Sequence, residues 1–213
     1  MTRTALVLCG GGPVRRPVPI PDAPLVVAAD SGVVEAERLG IPVDLLIGDM
    51  DSAPPDAAER VRAGGGRVEL HPAEKDSSDL ELALEAARVR GVREILVVGG
   101  DRGRLDHLLA NALLLAAPRF AELRVDAVLG EARLHVIRGE RELEGRPGEL
   151  VSLLAAGGPA RGVRTRGLRY VLDGGDLLPG SSLGLSNEFS DERASVRVRE
   201  GAILAIRPGG DAA

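Results

Sequence analysis

Apolar and polar positions over the first two-thirds of the chain alternate between two patterns. Residues 5–9, 25–29, 45–47 and 94–98 are short, nearly continuous apolar runs rich in Val and Leu and bounded by Gly or Asp. That is the pattern of strands buried on both faces. Residues 67–70 form a fifth, less apolar run. Between them, 33–39, 55–63, 79–90 and 106–116 carry helical spacing. Ser78 stands as an N-cap with Glu81 three residues on, and Gly91 stands as a stop after Arg90. Strands alternating with helices predict a parallel sheet covered on both faces, with ligands bound beyond the carboxyl ends of its strands.

From about residue 123 the pattern changes. Residues 125–129, 133–137, 150–154, 162–165, 195–198 and 202–206 are short strand-like runs separated by Gly, Pro and Asp, with no helix among them. They predict an antiparallel sandwich or barrel. The expected fold class is therefore α/β: a Rossmann-like parallel sheet with flanking helices over 1–130, then an all-β sandwich or barrel over 131–213. No internal repeat is visible, and residues 209–213 read as a frayed end.

Composition narrows the function classes. A chain of 213 residues that is 44% hydrophobic has ample core, and 28% charge is ordinary for a globular protein. A net charge of −5 argues against a nucleic-acid-binding surface. One cysteine, Cys9, allows no internal disulfide. The opening stretch is too short for a secretory h-region, and no apolar run reaches the length of a membrane span, so a cytoplasmic location is expected. Of 27 basic residues only Lys75 is lysine. Where arginine supplies generic positive charge, one lysine suggests a position that wants a compact ammonium.

The polar residues gather where the predicted strands end. The run 25–29 leads into Asp30-Ser31-Gly32, and 45–47 leads into Gly48-Asp49-Met50-Asp51-Ser52. After 67–70 comes Lys75-Asp76-Ser77-Ser78-Asp79, and 94–98 leads into Gly99-Gly100-Asp101-Arg102-Gly103-Arg104-Leu105-Asp106-His107. In a parallel sheet these clusters share one edge, which crowds Asp30, Asp49, Asp51, Asp76, Asp79 and Asp106. Crowded carboxylates repel one another, and a divalent cation relieves them. Oxygen ligands without a His/Cys set favour Mg²⁺ together with substrate phosphates. Lys75 and Arg104 offer charge to phosphate oxygens, and the Gly-rich turns offer backbone N–H groups. Taken singly these features are bland: an Asp after a strand is often an N-cap, and a Gly pair is usually a turn. Gly10-Gly11-Gly12 lacks the Lys-Ser/Thr of a P-loop. His71 and His135 read as structural, Cys9 as a small buried hydrophobe, and Asp101 as a solvated loop charge without a partner.

In order and spacing, these segments resemble the thiamine pyrophosphokinase family. The resemblance rests on Ala29-Asp30-Ser31-Gly32, on Pro42-Val43-Asp44-Leu45-Leu46-Ile47-Gly48-Asp49-Met50-Asp51-Ser52, on Lys75-Asp76-Ser77-Ser78-Asp79-Leu80-Glu81 and on Gly103-Arg104-Leu105-Asp106-His107 with Asn111. In the second part it rests on Thr165-Arg166-Gly167-Leu168-Arg169-Tyr170 and Gly184-Leu185-Ser186-Asn187-Glu188-Phe189. It implies transfer of the β,γ-pyrophosphoryl group of ATP to the hydroxyl of thiamine, with Mg²⁺, by a homodimer that holds thiamine near its interface. It assigns Asp49, Asp51 and Asp79 to the metal. Asp30, Lys75, Asp76, Arg104 and Asp106 fall to the catalytic shell, and Asp30, Ser52, Lys75, Arg104 and His107 to ATP. Tyr170, Ser186 and Asn187 fall to thiamine, Tyr170 by stacking on a cationic ring. Asp76 and Asp106 both stand as acceptors of the hydroxyl proton. Met50 replaces the usual Phe, and the Pro-rich segment 10–23 departs from a typical family start. The competing expectations are a pyrophosphokinase for another heterocyclic alcohol of the hydroxymethyl-pterin type and a non-catalytic nucleotide-binding module.

Overall fold

A computed structural model of the chain describes residues 3–209. The expected frayed end, past Gly209, lies outside the described residues. The chain forms two compact units: Met1–Asn111 with Glu122–Gly130, and Ala112–Ala121 with Glu131–Ala213.

The first unit is built on six parallel strands, β1 (Thr4–Leu8), β2 (Leu25–Ala29), β3 (Leu45–Gly48), β4 (Arg67–Leu70), β5 (Glu94–Gly99) and β6 (Arg124–Leu129), in the order β4-β3-β2-β1-β5-β6. All of β3 is buried, as are all but the first residues of β1 and β2. Successive side chains of a strand point to opposite faces, so burial of both sets means that both faces are covered. The less apolar β4 is the edge strand, with Arg67 and Leu70 exposed. Strand order reverses at β1, and in such sheets the ligand crevice opens at that reversal.

Four helices accompany the strands: α1 (Gly32–Leu39), α2 (Ala57–Ala63), α3 (Asp79–Val89) and α4 (Leu105–Leu115). Ser78 Oγ accepts from the Glu81 N–H at 3.3 Å, so α3 starts where the capping pattern placed it. The link from β1 to β2 contains no helix. It is held instead by Val14, buried among Leu6, Leu8, Val26 and Ala36. The Val14 N–H donates to buried Glu35 Oε1 at 3.2 Å, and Arg38 clasps the same carboxylate at 2.6 Å. Residues 125–129, read from their spacing as part of the antiparallel region, pair in parallel with β5 and complete the first sheet. Their short apolar run is equally compatible with a parallel strand, and the pairing partner decides.

The second unit contains a 3-10 turn (Pro118–Phe120) and strands β7 (Ala132–Glu144), β8 (Leu150–Ala155), β9 (Ala160–Arg166), β10 (Asp173–Leu177), β11 (Asn187–Glu188) and β12 (Arg193–Arg207). Their mutual pairings are antiparallel. The runs 195–198 and 202–206 are one long strand, β12. Its first half pairs with β9, and the register shifts between Val198 and Ile203 before the second half pairs with β8. Such an irregularity bends a strand and lets it serve two partners. The core here is formed by Ile137, Leu153, Val163, Phe189, Val196 and Ile203 with their neighbours. No helix among the described residues is long and apolar enough to cross a membrane.

Candidate active site

The loops at the carboxyl edge of the first sheet enclose a cavity of about 810 Å³. The backbone at the ends of β2 and β3 brings its acids together. Asp30 follows β2 with a left-handed φ of 45°, its N–H held by the Ile47 carbonyl at 2.9 Å. For a residue with a Cβ that conformation is strained, and it persists where surrounding contacts impose it. Gly48, the last residue of β3, has φ 145°, and a Cβ there would lie 3.0 Å from Asp79 Oδ1. The absence of a side chain at Gly48 is what lets Asp30 and Asp79 converge.

The result is a cluster in which one carboxylate oxygen each of Asp30, Asp49 and Asp79 lies within 4.8 Å of the others. Lys75 spans it: Nζ donates to Asp49 Oδ2 at 2.9 Å and sits 3.1 Å from Asp79 Oδ1. The lone lysine of the chain is thus the ammonium inside the acid cluster. Burial, reinforced by Asp79, Asp51 and Asp49, raises the Asp30 carboxyl above the ordinary range. The Lys75 hydrogen bond holds Asp49 below it. Burial alone would lower Lys75, but its hydrogen bonds to Asp49 and Asp79 raise it on balance. Asp30 Oδ1 is buried without a hydrogen-bond partner, and the one cation at Asp79 Oδ1 is the Lys75 ammonium that Asp49 shares. Buried carboxylate oxygens are ordinarily satisfied. One that is not, within 4.8 Å of oxygens from two further carboxylates, belongs to a hard-oxygen set that fits a divalent cation of the Mg²⁺ type. Asp51 lies at the exposed rim. Its N–H turns back to Asp49 Oδ1 at 3.2 Å and its Oδ1 accepts from Ser52 Oγ at 2.9 Å.

The cavity is lined by Asp30, Asp49, Asp51, Ser52, Lys75, Asp76 and Asp79 on the acidic side, and by Gly10–Gly12, Arg102, Arg104, His107 and Asn111 on the other. Asp106 is absent from its lining. It is exposed and tied to Arg104 at 2.6 Å, which holds its carboxyl down at about 2. Asp101, expected to be unpartnered, is gripped by both terminal nitrogens of Arg15 at 2.8 Å each. The partner lies 86 residues away in the Pro-rich loop, which sequence spacing does not reveal. Arg102 was not anticipated either; nothing in its sequence context sets it apart from Arg104. Cys9 is buried, as expected, and burial pushes its thiol up to about 12, so it is inert.

The residues assigned to thiamine lie in the second unit. Tyr170 is exposed, with the Arg169 guanidinium 5.4 Å from its ring centroid. Asn187 is buried at 3% exposure. Its Oδ1 accepts from the Tyr170 N–H at 3.0 Å and its Nδ2 donates to the Tyr170 carbonyl at 2.7 Å. The Asn187 amide therefore fixes the backbone that carries the aromatic ring. Ser186 is exposed, in a left-handed conformation with φ 52°.

The chain matches a family model described as thiamin pyrophosphokinase, catalytic domain, over residues 20–127, and one described as thiamin pyrophosphokinase, vitamin B1 binding domain, over residues 134–203. It is 27% identical to the thiamine pyrophosphokinase of Bacillus subtilis (strain 168) over 186 residues, 86% of each chain. The crystal structure of a thiamin pyrophosphokinase family protein from Enterococcus faecalis superposes with a TM-score of 0.81 at 28% identity, covering 99% of this chain and 100% of that one. The crystal structure of the Bacillus subtilis thiamine pyrophosphokinase superposes with the same TM-score at 24% identity, over 98% of this chain and 100% of that one, a likeness of fold.

Proposed function

The chain belongs to the thiamin pyrophosphokinase family, and from that premise we propose that it transfers the β,γ-pyrophosphoryl group of ATP to the hydroxyl of thiamine, releasing AMP and thiamine diphosphate. The observation that carries this reading is the convergence of Asp30, Asp49 and Asp79 around Lys75 at the wall of a cavity that also presents Arg102, Arg104 and glycine backbone. We read the first unit as Rossmann-like and the second, whose long strand β12 bends between two partners, as a β-sandwich that takes up thiamine.

Mg²⁺ held by Asp30, Asp49 and Asp79, with Asp51 at the rim, would supply neutralisation of phosphate charge. The remaining work falls to side chains and backbone, because such transfers need positioning and charge compensation more than covalent catalysis. Lys75 and Arg104 offer donors to phosphate oxygens, and the segment Gly10–Gly12 offers close backbone approach. Ser52 and His107, both on the cavity wall, take up the nucleotide. Asp76 lines the cavity and Asp106 does not. Asp106 is also held strongly acidic by Arg104, which makes it a poor base. We therefore assign acceptance of the hydroxyl proton to Asp76, and to Asp106 the orientation of Arg104. We read exposed Tyr170 as the aromatic surface on which the cationic ring of thiamine stacks and Ser186 as a further contact to the vitamin, with Asn187 holding the Tyr170 backbone.

The exposed leucines Leu105, Leu109 and Leu113, spaced one turn apart on α4, support a homodimer. Use of ATP by a chain with one cysteine supports a cytoplasmic location. The test is product analysis with purified protein, ATP and Mg²⁺. AMP is expected to accumulate with thiamine diphosphate in equal amounts, and only when thiamine is added. ADP in place of AMP, or AMP release indifferent to thiamine but stimulated by a hydroxymethyl-pterin, would overturn the assignment.

A further inference from the structure

Arg102 stands apart among the cationic side chains of the cavity. Lys75 is engaged by two carboxylates and Arg104 by Asp106, whereas among the described residues Arg102 forms no ion pair. The nearest acid in sequence, Asp101, has both oxygens committed to Arg15 at 2.8 Å. Elsewhere in this arginine-rich chain, guanidinium groups such as those of Arg38, Arg60, Arg88, Arg90 and Arg207 sit on carboxylates. Of the three cationic side chains that line the cavity, Arg102 alone has no ion pair among the described residues, its nearest charge being the already committed Asp101.

The backbone beneath it is held firmly. The Arg102 N–H donates to the Gly11 carbonyl at 2.9 Å and the Gly100 N–H to the Gly10 carbonyl at 3.1 Å. The two loops touch so closely that a Cβ on Gly100 would fall 1.8 Å from the Gly11 oxygen. The Arg102 side chain starts out along Gly12, where a Cβ would meet its Cβ and Cδ at 3.8 Å. The Arg15–Asp101 clasp ties the Pro-rich segment to the loop after β5, and the Arg15 N–H on the Gly130 carbonyl at 3.0 Å ties it to the end of β6. Guanidinium is a weakly hydrated planar fork suited to bidentate phosphate recognition. Facing it across the cavity is a wall of carboxylates suited to a cation. A ligand that satisfies both walls brings a chain of phosphates and a metal.

We propose that Arg102 is a further phosphate-binding residue of the nucleotide site, and that the Arg15–Asp101 pair is a positioning element that holds it over the cavity. This rests on the ATP reading above and adds to it a residue and a device outside the acid cluster.

The test is calorimetric titration with ATP and with adenosine, in Mg²⁺, of wild type, Arg102→Ala, Arg102→Lys, Arg15→Ala and the Arg15→Ala/Arg102→Ala double variant. Arg102 is exposed, so its truncation removes no core contact, and thermal melting checks that each variant is folded. Arg102→Ala is expected to weaken ATP about tenfold and leave adenosine within about twofold, with Arg102→Lys recovering part of the loss. Arg15→Ala is expected to weaken ATP about threefold alone and to add nothing in the Arg102→Ala background, the signature of a residue acting through another. Unchanged ATP affinity in Arg102→Ala, or an equal loss for adenosine, would overturn the phosphate role. Additive losses in the double variant would overturn the positioning role. Wild-type protein that binds no ATP would instead overturn the nucleotide reading itself.

Discussion

The two walls of the cavity are made differently. The acidic wall, from the ends of β2 and β3 and the start of α3, holds a strained Asp30 with a buried carboxylate oxygen that has no hydrogen-bond partner, and one ammonium among three acids. The opposite wall, from the loops after β1 and β5, is satisfied within itself apart from the Arg102 guanidinium: glycine carbonyls bind backbone N–H groups, Arg15 binds Asp101 and Arg104 binds Asp106. Unsatisfied buried groups are costly, and they persist where a ligand is to complete them. The comparison teaches that the acidic wall is built to act on the ligand and the glycine–arginine wall to hold it. Substitutions in the first should lower turnover, and substitutions in the second should weaken ATP binding.

The largest break is expected on the acidic side. Asp79→Asn should lower turnover about a hundredfold, about 2.7 kcal/mol in the barrier, in saturating AMP-release assays. Asp51→Asn, at the exposed rim, should cost about tenfold. Equal rates in wild type and both variants would remove the distinction between the walls. On the other side, Gly100→Ala forces apart two backbones that leave no room for a Cβ. It should destabilise the protein by about 1–3 kcal/mol in urea unfolding, and should raise the KM for ATP more than it lowers kcat. An alanine variant as stable as wild type would show that the loops are not packed as described.

The smallest effect concerns the clasp. Arg15 holds the Asp101 carboxyl below its ordinary range. A carboxyl depressed in the folded state contributes stability that is full above the unfolded value, near 3.9, and is lost as pH falls through the folded one. Asp101→Asn should therefore cost about 1 kcal/mol or less at neutral pH, given the exposure of the pair. The gap should close as the pH drops below about 4. A gap that widens on acidification would contradict the assignment.

Much of the acidic wall was legible in the sequence, because its residues follow directly on apolar runs whose parallel pairing sends their ends to one edge. The capping of α3 by Ser78 was legible for a similar local reason. The other wall was less so. The Arg15–Asp101 pair joins two glycine-rich loops with no periodicity, and nothing local links positions 15 and 101. Asp30 entered the expected cluster as one acid among six. Its place among the three converging oxygens depends on the left-handed turn at position 30 and the missing side chain at Gly48. In the second unit, β10 was hidden because Gly174 and Gly175 lie within it. β12 was split in two because its register shift interrupts the alternation. Asn187 was read as a ligand contact, yet its buried amide is spent on the Tyr170 backbone, a role visible only once the chain is folded.

The claim on which the account turns is that Asp30, Asp49 and Asp79 share one divalent cation beside the nucleotide. Anomalous diffraction from crystals soaked with Mn²⁺ and a non-hydrolysable ATP analogue tests it directly. The account predicts a metal peak among these three carboxylates, next to the phosphates. Bound nucleotide with no metal there, and Lys75 still bridging Asp49 and Asp79, would contradict it.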